Sequence, residues 1–239
     1  MCIRDRATII DLASGGTAVV DQSSAPPTTT GGTWAMGAET LVHATVAIDT
    51  SYCLATVSLE SGQGSPGWCA EPHHGFRGAV ITETGLSVMS FDDQRPTSCA
   101  TLLAISGTEA TPFDNVTDCE GWDAALLDDG AIWSEVPKPN RQEAAVFAAR
   151  VGDETFDLGP GLTGSLVWCD EAAYFVRDPE TKTDPARLMR FTADGTLSVV
   201  YESASQGTAF LTEPRCGGDA ITLTSYGDQG NEQVSADLS

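Results

Sequence analysis

Short runs of alternating apolar and polar residues, broken by Gly, Asp and Asn, recur along the chain. Ala173-Tyr174-Phe175-Val176 leads through a polar turn, Arg177 to Asp184, into Ala186-Arg187-Leu188-Met189-Arg190-Phe191. Ala193-Asp194-Gly195 then turns into Thr196-Leu197-Ser198-Val199-Val200-Tyr201, and Ala220-Ile221-Thr222-Leu223-Thr224-Ser225 leads into Glu232-Gln233-Val234-Ser235-Ala236-Asp237-Leu238. Period-two alternation with β-branched residues predicts strands, and the Gly and Asp residues between them predict tight turns. The best helical window, Gln142 to Arg150, is Ala-rich. Its place in the pattern predicts a strand there all the same, because neighbouring strands outweigh local propensity.

The pattern repeats. One element begins near Ala7, Cys53, Cys99, Ala144, Ala186 and Glu232, at steps of 46, 46, 45, 42 and 46 residues. Cys69, Cys119, Cys169 and Cys216 recur at 50, 50 and 47 residues, and Trp68 and Trp168 each precede one of them. Trp34-Ala35 reads as an earlier copy of that segment. Four short strands per unit of this length are the signature of a β-propeller blade. The predicted fold class is therefore all-β, a β-propeller of four-stranded antiparallel blades. The Trp/Cys segment is expected as strand 1 and the Ala7/Cys53/Cys99 element as strand 3. About five blades fit the length. The strand phase begins and ends at strand 3, so the expectation is a fragment of a propeller of six or more blades, with a complete five-bladed ring as the alternative. An unclosed piece would expose strand edges and aggregate alone.

The segment Glu213-Pro214-Arg215-Cys216-Gly217-Gly218-Asp219-Ala220-Ile221-Thr222-Leu223-Thr224-Ser225-Tyr226-Gly227-Asp228 resembles the propeller repeat of the TolB-like, WD40-like-repeat family, PxWSPDGxxIAFxSxxDG. Cys216 stands in the Trp place, and Gly217-Gly218-Asp219 replaces the Ser-Pro-Asp-Gly turn. The other copies are degenerate: Asp170-Glu171-Ala172 and Glu120-Gly121-Trp122 keep only a polar turn. The resemblance implies a propeller over most of the chain and transfers no catalytic residue. Arg outnumbers Lys 10 to 2 and Ala is frequent, which together point to an actinobacterial extracytoplasmic protein.

Met1 to Arg6 reads as the translated end of a sequencing adaptor, leaving 7–239 as the propeller domain. Without that scar the formal charge moves from −22 to −23, since two Arg and one Asp are removed. A field this negative excludes nucleic-acid binding by phosphate neutralisation. With 41% hydrophobic and 19% charged residues the chain is not of the disordered class. No run of 18 apolar residues offers a membrane span.

Six of the seven cysteines remain after Cys2 is set aside, with no CxxC pair, so zinc ligation is not expected. An even count in an acidic, Gly-rich β protein favours disulfides and an oxidising, extracytoplasmic compartment, secreted or anchored through a preceding segment. The expected pairs are Cys53–Cys69 and Cys99–Cys119, which leaves Cys169 and Cys216 on the inner strands of adjacent blades. A competing pair, Cys69–Cys99, would have to cross strand 2, a span of nearly ~10 Å. The alternative to disulfides is that the strand-1 cysteines are small, buried and reduced.

Candidate chemistry is sparse. His73-His74 lies in a turn and reads as a solvated loop before it reads as a metal site; His43 alternates with Leu41 and Thr45 on a strand face and reads as packing. No Gly-x-Ser-x-Gly elbow is present. Leu127-Asp128-Asp129-Gly130-Ala131-Ile132-Trp133 matches the Asp, Gly and Trp of a sialidase-type turn but has Leu126 in the Ser/Thr place, and an Asp-Gly hairpin explains it equally. Asp92-Asp93 and Asp128-Asp129 are candidate glycosidase acids only by lying at strand ends. No cofactor is expected. Basic residues gather in the strand 2 to strand 3 turns: Arg95, Lys138, Arg141, Arg177 and Lys182, with Arg187 just beyond. Such a rim suits a protein partner or a small anionic or carbohydrate ligand, although Asp92, Asp93, Glu135, Asp178, Glu180 and Asp184 make it mixed in charge. The expected function is a non-enzymatic binding or scaffold propeller. The alternative is a glycosidase-like propeller hydrolase with carboxylates at an axial funnel.

Overall fold

The computed structural model describes residues 6–11, 14–21, 23–29, 32–95, 99–137, 144–217, 220–228 and 230–238. Backbone contacts divide the chain into two units, residues 1–81 with 85–113, and residues 82–84 with 114–239. Every helix or strand among the described residues is a β-strand.

In the first unit β1 (Arg6–Ile10) pairs antiparallel with β2 (Thr17–Asp21). β3 (Trp34–Met36), β4 (Thr40–Val46), β5 (Tyr52–Ser58) and β6 (Gly64–Cys69) form a meander in that order. β7 (His74–Ile81), β8 (Leu86–Asp92), β9 (Ala100–Ser106) and β10 (Glu109–Pro112) form the next. The second unit holds β11 (Gly121–Leu127) to β14, through β12 (Gly130–Glu135) and β13 (Ala145–Val151) to β14 itself (Glu154–Gly161). Its next sheet runs β15 (Val167–Cys169), β16 (Ala172–Arg177), β17 (Pro185–Thr192) and β18 (Leu197–Gln206). In the last sheet, β19 (Phe210–Leu211) and β20 (Arg215–Gly217) pair with opposite ends of β21 (Ala220–Gly227), and β22 (Gly230–Asp237) lies along the other edge of β21. These are the four-stranded antiparallel blades of a β-propeller.

The strand phase follows the repeat. β5, β9, β13, β17 and β22 are each the third element of their sheets, at the positions the 42 to 46-residue steps predict. The Ala-rich window becomes β13 because both its edges are occupied, by β12 and by β14; residues 142 and 143 lie outside the described residues. The Trp/Cys copies are less uniform than expected. Trp34, Trp168-Cys169 and Cys216 do lie on first strands, but Trp68-Cys69 ends β6, a fourth strand, and the next first strand is β7. The reason is pairing: Cys69 sits opposite Cys53 in the β5–β6 ladder. Cys119 lies in the turn before β11. His73 and His74 consequently precede and open a first strand, where the sequence had suggested a turn after one.

Burial explains why the blades stack. In the central strand β16, Ala172 to Val176 are all buried, and Phe175 stacks on Phe147 of β13 with ring centroids 4.1 Å apart. Ala145, Ala149, Ala172, Ala173 and Ala186 are buried as well, small side chains in a close-packed interior. Cys169, Tyr174, Leu188, Leu211, Ile221 and Leu223 form one core shared by the last two blades. In the first unit Leu54, Trp68, Phe76, Val88 and Ile105 do the same between its two complete blades.

Candidate functional site

The basic turns were the only charge asymmetry in the sequence. Among the described residues the clearest is the β16–β17 turn, residues 178–184. Asp184 Oδ2 accepts from the Thr181 amide at 3.0 Å and from its hydroxyl at 2.9 Å, which closes residues 181–184 into a side-chain-bridged turn. The Asp184 carbonyl in turn accepts from the Gly207 amide at 2.9 Å. Gly207 has φ +70°, and a Cβ there would lie 2.7 Å from the Lys182 carbonyl oxygen, so glycine is what lets the end of β18 approach the turn. The turn is thus held from both sides and carries Lys182 exposed at its tip.

Arg177, at the root of the same turn, is committed elsewhere. Its Nε donates to the Pro160 carbonyl at 3.0 Å and its Nη2 to the Leu158 carbonyl, both on β14 of the preceding blade. Burial lowers its guanidinium pKa, opposed by nearby Glu180 and reinforced by Arg187; a guanidinium stays charged throughout. Asp178 beside it has its carboxyl held above the usual carboxylate range by desolvation. Arg187 Nε meets Glu202 Oε1 at 2.8 Å across β17–β18. Of the cations in this turn region, Lys182 is therefore the one presented outward. Arg95 lies exposed in the β8–β9 turn of the first unit, where Asp92 caps the chain through the Gln94 amide at 2.8 Å. Lys138 and Arg141 lie outside the described residues.

The candidate acids are bound into turns. Asp128 accepts from the Thr84 hydroxyl at 2.9 Å, and the Asp129 carbonyl accepts from the Gly152 amide at 2.6 Å, as in an ordinary hairpin end. The Trp133 indole N–H goes to Glu135, which also takes the Thr117 amide and hydroxyl. Asp93 donates its amide to the His73 carbonyl at 2.8 Å.

One buried carboxylate escaped sequence reasoning. Asp123 on β11 is 8% exposed. Its Oδ2 accepts from the Gly164 amide at 3.1 Å and, at 3.4 Å, from the Ser134 hydroxyl. It ties the first strand of one blade to the loop entering the next. No motif marks it, although its place two residues into a first strand after a polar turn was a usable signal. His43 is 1% exposed beneath Trp34, ring centroids 5.0 Å apart, with Nδ1 at 3.1 Å from the Ala44 carbonyl; it is a packed residue. His73 pairs with Gln94 and His74 with the Pro72 carbonyl. Among the described residues no group of three or more His, Cys, Asp or Glu is placed to hold a metal.

The cysteines are the best-defined chemistry. Cys53 is bonded to Cys69 within the β3–β6 blade, and Cys169 to Cys216 between the last two blades. Cys99 and Cys119 are disulfide-bonded as well. Six oxidised cysteines fit an oxidising environment. No helix among the described residues is long and apolar enough to cross a membrane.

No protein-family model matches the chain, and no curated protein matches it in sequence. Solved structures do match. The β-propeller domain of the Trilobed protease from Pyrococcus furiosus, described as having an open velcro topology, superposes with TM-score 0.58 at 11% identity, over 96% of this chain and 72% of that one. The acylaminoacyl peptidase of Pyrococcus horikoshii gives 0.58 at 10% identity, over 97% of this chain and 40% of its own. An uncharacterized protein of Listeria monocytogenes gives 0.51 at 13% identity, over 96% and 73%. At such identities the likeness shows the fold alone: the chain is built as a β-propeller.

Proposed function

We propose that the chain is a non-enzymatic, extracytoplasmic propeller domain of TolB-like type, actinobacterial in origin, that binds a ligand or serves as a scaffold. The observation that carries this reading is the oxidation of all six repeat cysteines into disulfides, a use of cysteine that belongs to oxidising compartments. The candidate acids Asp92, Asp128 and Asp129 support the non-enzymatic part, since each serves a turn. A protein, or a small anionic or carbohydrate ligand, is the partner class that the exposed Lys182 turn would suit.

Two measurements test the reading. Thiol titration in denaturant, on protein purified from its native host under alkylating conditions, finds none of the six cysteines reactive; six reactive thiols refute the compartment. Calorimetry against sulfated and carboxylated glycans and acidic peptides finds a ligand whose affinity Lys182→Glu lowers about tenfold. The hydrolase alternative has Asp123 in its favour, a carboxylate buried on a first strand. Turnover of a glycoside substrate that Asp123→Asn abolishes would replace the binding reading with that one.

A further inference from the structure

The disulfides differ in what holds their sulfurs together. Cys53 and Cys69 face each other in one ladder, Cα atoms 3.9 Å apart, and the β5–β6 backbone pairing extends to Thr56–Ser65 and Val57–Gly64. Reduction would leave the two thiols side by side, at high effective concentration, ready to re-form the bond. Cys169 and Cys216 belong to different sheets, Cα atoms 5.6 Å apart and 47 residues apart in sequence. Cys216 lies on β20, three exposed residues long, and the first strand of its blade is split into β19 and β20. Cys169 is 2% exposed and belongs to the apolar core that both blades share. The bond therefore has one sulfur-bearing residue at the surface and the other in the core, and it crosses a blade interface.

We propose that Cys216 is a thiol–disulfide exchange site for a small or protein dithiol, and that opening the Cys169–Cys216 bond loosens the last blade from its neighbour. A thiolate of the dithiol attacks Cys216 Sγ, and the S–S bond to Cys169 breaks. Cys169 leaves as a thiolate and takes up a proton, while a mixed disulfide joins the reductant to Cys216. The second thiolate of the dithiol then attacks its own bonded sulfur, which frees Cys216 and closes the oxidised dithiol. Two electrons pass from the dithiol to the protein disulfide, and two protons end on Cys169 and Cys216. Once separated, the two thiols share no ladder and are kept near each other by the apolar core of the two blades, so the open state outlasts that of Cys53–Cys69, whose strands stay paired.

The test uses the folded full chain and dithiothreitol as the dithiol. Timed alkylation with peptide mapping is expected to label Cys169 and Cys216 at least about tenfold faster than Cys53 and Cys69. Hydrogen exchange under the same conditions is expected to speed about tenfold over residues 209–238 and to stay unchanged over 40–69. A Cys53→Ala/Cys69→Ala double variant keeps the parent's labelling rate at Cys169 and Cys216 and the faster exchange over 209–238, since its inter-blade bond opens as before. Labelling of Cys53 and Cys69 first, labelling of both pairs together with chain-wide exchange, or reduction of Cys169–Cys216 without faster exchange at 209–238 would each overturn the proposal.

Discussion

Arg177 closes a β-bulge around Leu158. The β13–β14 ladder pairs Phe147 with Gly159 and Ala148 with Asp157, so Leu158 is the extra residue on β14. A bulge leaves its carbonyls turned out of the ladder. The Arg177 guanidinium takes the Leu158 carbonyl with Nη2 and the Pro160 carbonyl with Nε, and so fixes the preceding blade to the root of the β16–β17 turn. A planar fork suits two carbonyls two residues apart; an ammonium does not.

Arg177→Met is accordingly expected to cost about 1–3 kcal/mol, because it leaves the partly buried Leu158 carbonyl, and the exposed Pro160 carbonyl, without their donor. Arg177→Lys is expected to lose most of the same amount although it keeps the charge. Lys182→Glu, on an exposed side chain in the same turn, is expected to stay within about 0.5 kcal/mol of the parent. Chemical denaturation of the three variants checks this. Equal stability of Arg177→Lys and the parent would show that charge, and not the fork, is what Arg177 contributes.

Gly130 is required by contact. It opens β12 opposite Val151, and a Cβ there would lie 1.8 Å from the Arg150 carbonyl oxygen. Backbone on the far side cannot yield as a flexible side chain would. Gly130→Ala is expected to destabilise by at least about 2 kcal/mol. Gly217→Ala, with nothing within 4 Å of its added methyl, is expected to change stability by no more than about 0.5 kcal/mol. Thermal melts of the pair measure the contrast. This also bears on the sialidase-like motif: the Gly of Asp128-Asp129-Gly130 is explained by the hairpin without any ligand.

How far this structure could be read from the sequence depends on what each residue answers to. The third strands were legible because Cys53, Ala186 and their counterparts recur at nearly constant spacing, and alternation reports burial directly. Trp68-Cys69 misled because the same dipeptide serves two roles: Trp168-Cys169 lies on a first strand, whereas Trp68-Cys69 closes a fourth strand through its ladder to Cys53. Nothing local separates the two. Arg177 read as a rim cation because charge is visible in sequence, while the bulge that engages it depends on a register shift between β13 and β14. Asp123 was hidden among many acids because its distinguishing property, a partner 41 residues away at Gly164, is tertiary.

Three carboxyls should titrate apart. Asp194 is held below the usual carboxylate range by the Thr192 hydroxyl and the Thr196 amide, and Asp49 by its bonds to Ser51. Asp178 is held above it by desolvation. For the two lowered groups the stabilising contribution is present above the unfolded value near ~3.9 and is lost as pH falls through the folded value. For Asp178 the sign reverses: stability is fullest below the unfolded value and declines as pH rises through the raised one. Carboxyl-detected NMR titration is expected to order the midpoints with Asp194 and Asp49 below Asp178. Thr192→Val is expected to move Asp194 upward alone; an unmoved Asp194 would refute the assigned cause.

Removing the Cys53–Cys69 bond isolates what a covalent link adds to an already paired ladder. The two residues are 16 apart in sequence, a loop whose closure entropy corresponds to about 3 kcal/mol in the unfolded chain. The native ladder has a register shift between the cysteine pair and Ala55–Pro66, so the disulfide also pins β6 beyond that irregularity. The Cys53→Ala/Cys69→Ala variant is therefore expected to lose about 2–4 kcal/mol while retaining the β5–β6 pairing. Guanidinium titration gives the stability, and amide exchange at Val57 and Cys53 relative to the parent reports the pairing. If the loss is entropic, the folded-state exchange of Val57 hardly changes while the denaturation midpoint falls. If the bond instead holds β6 in place, protection at both positions collapses together with the midpoint, and the unfolded-chain account is wrong for this blade.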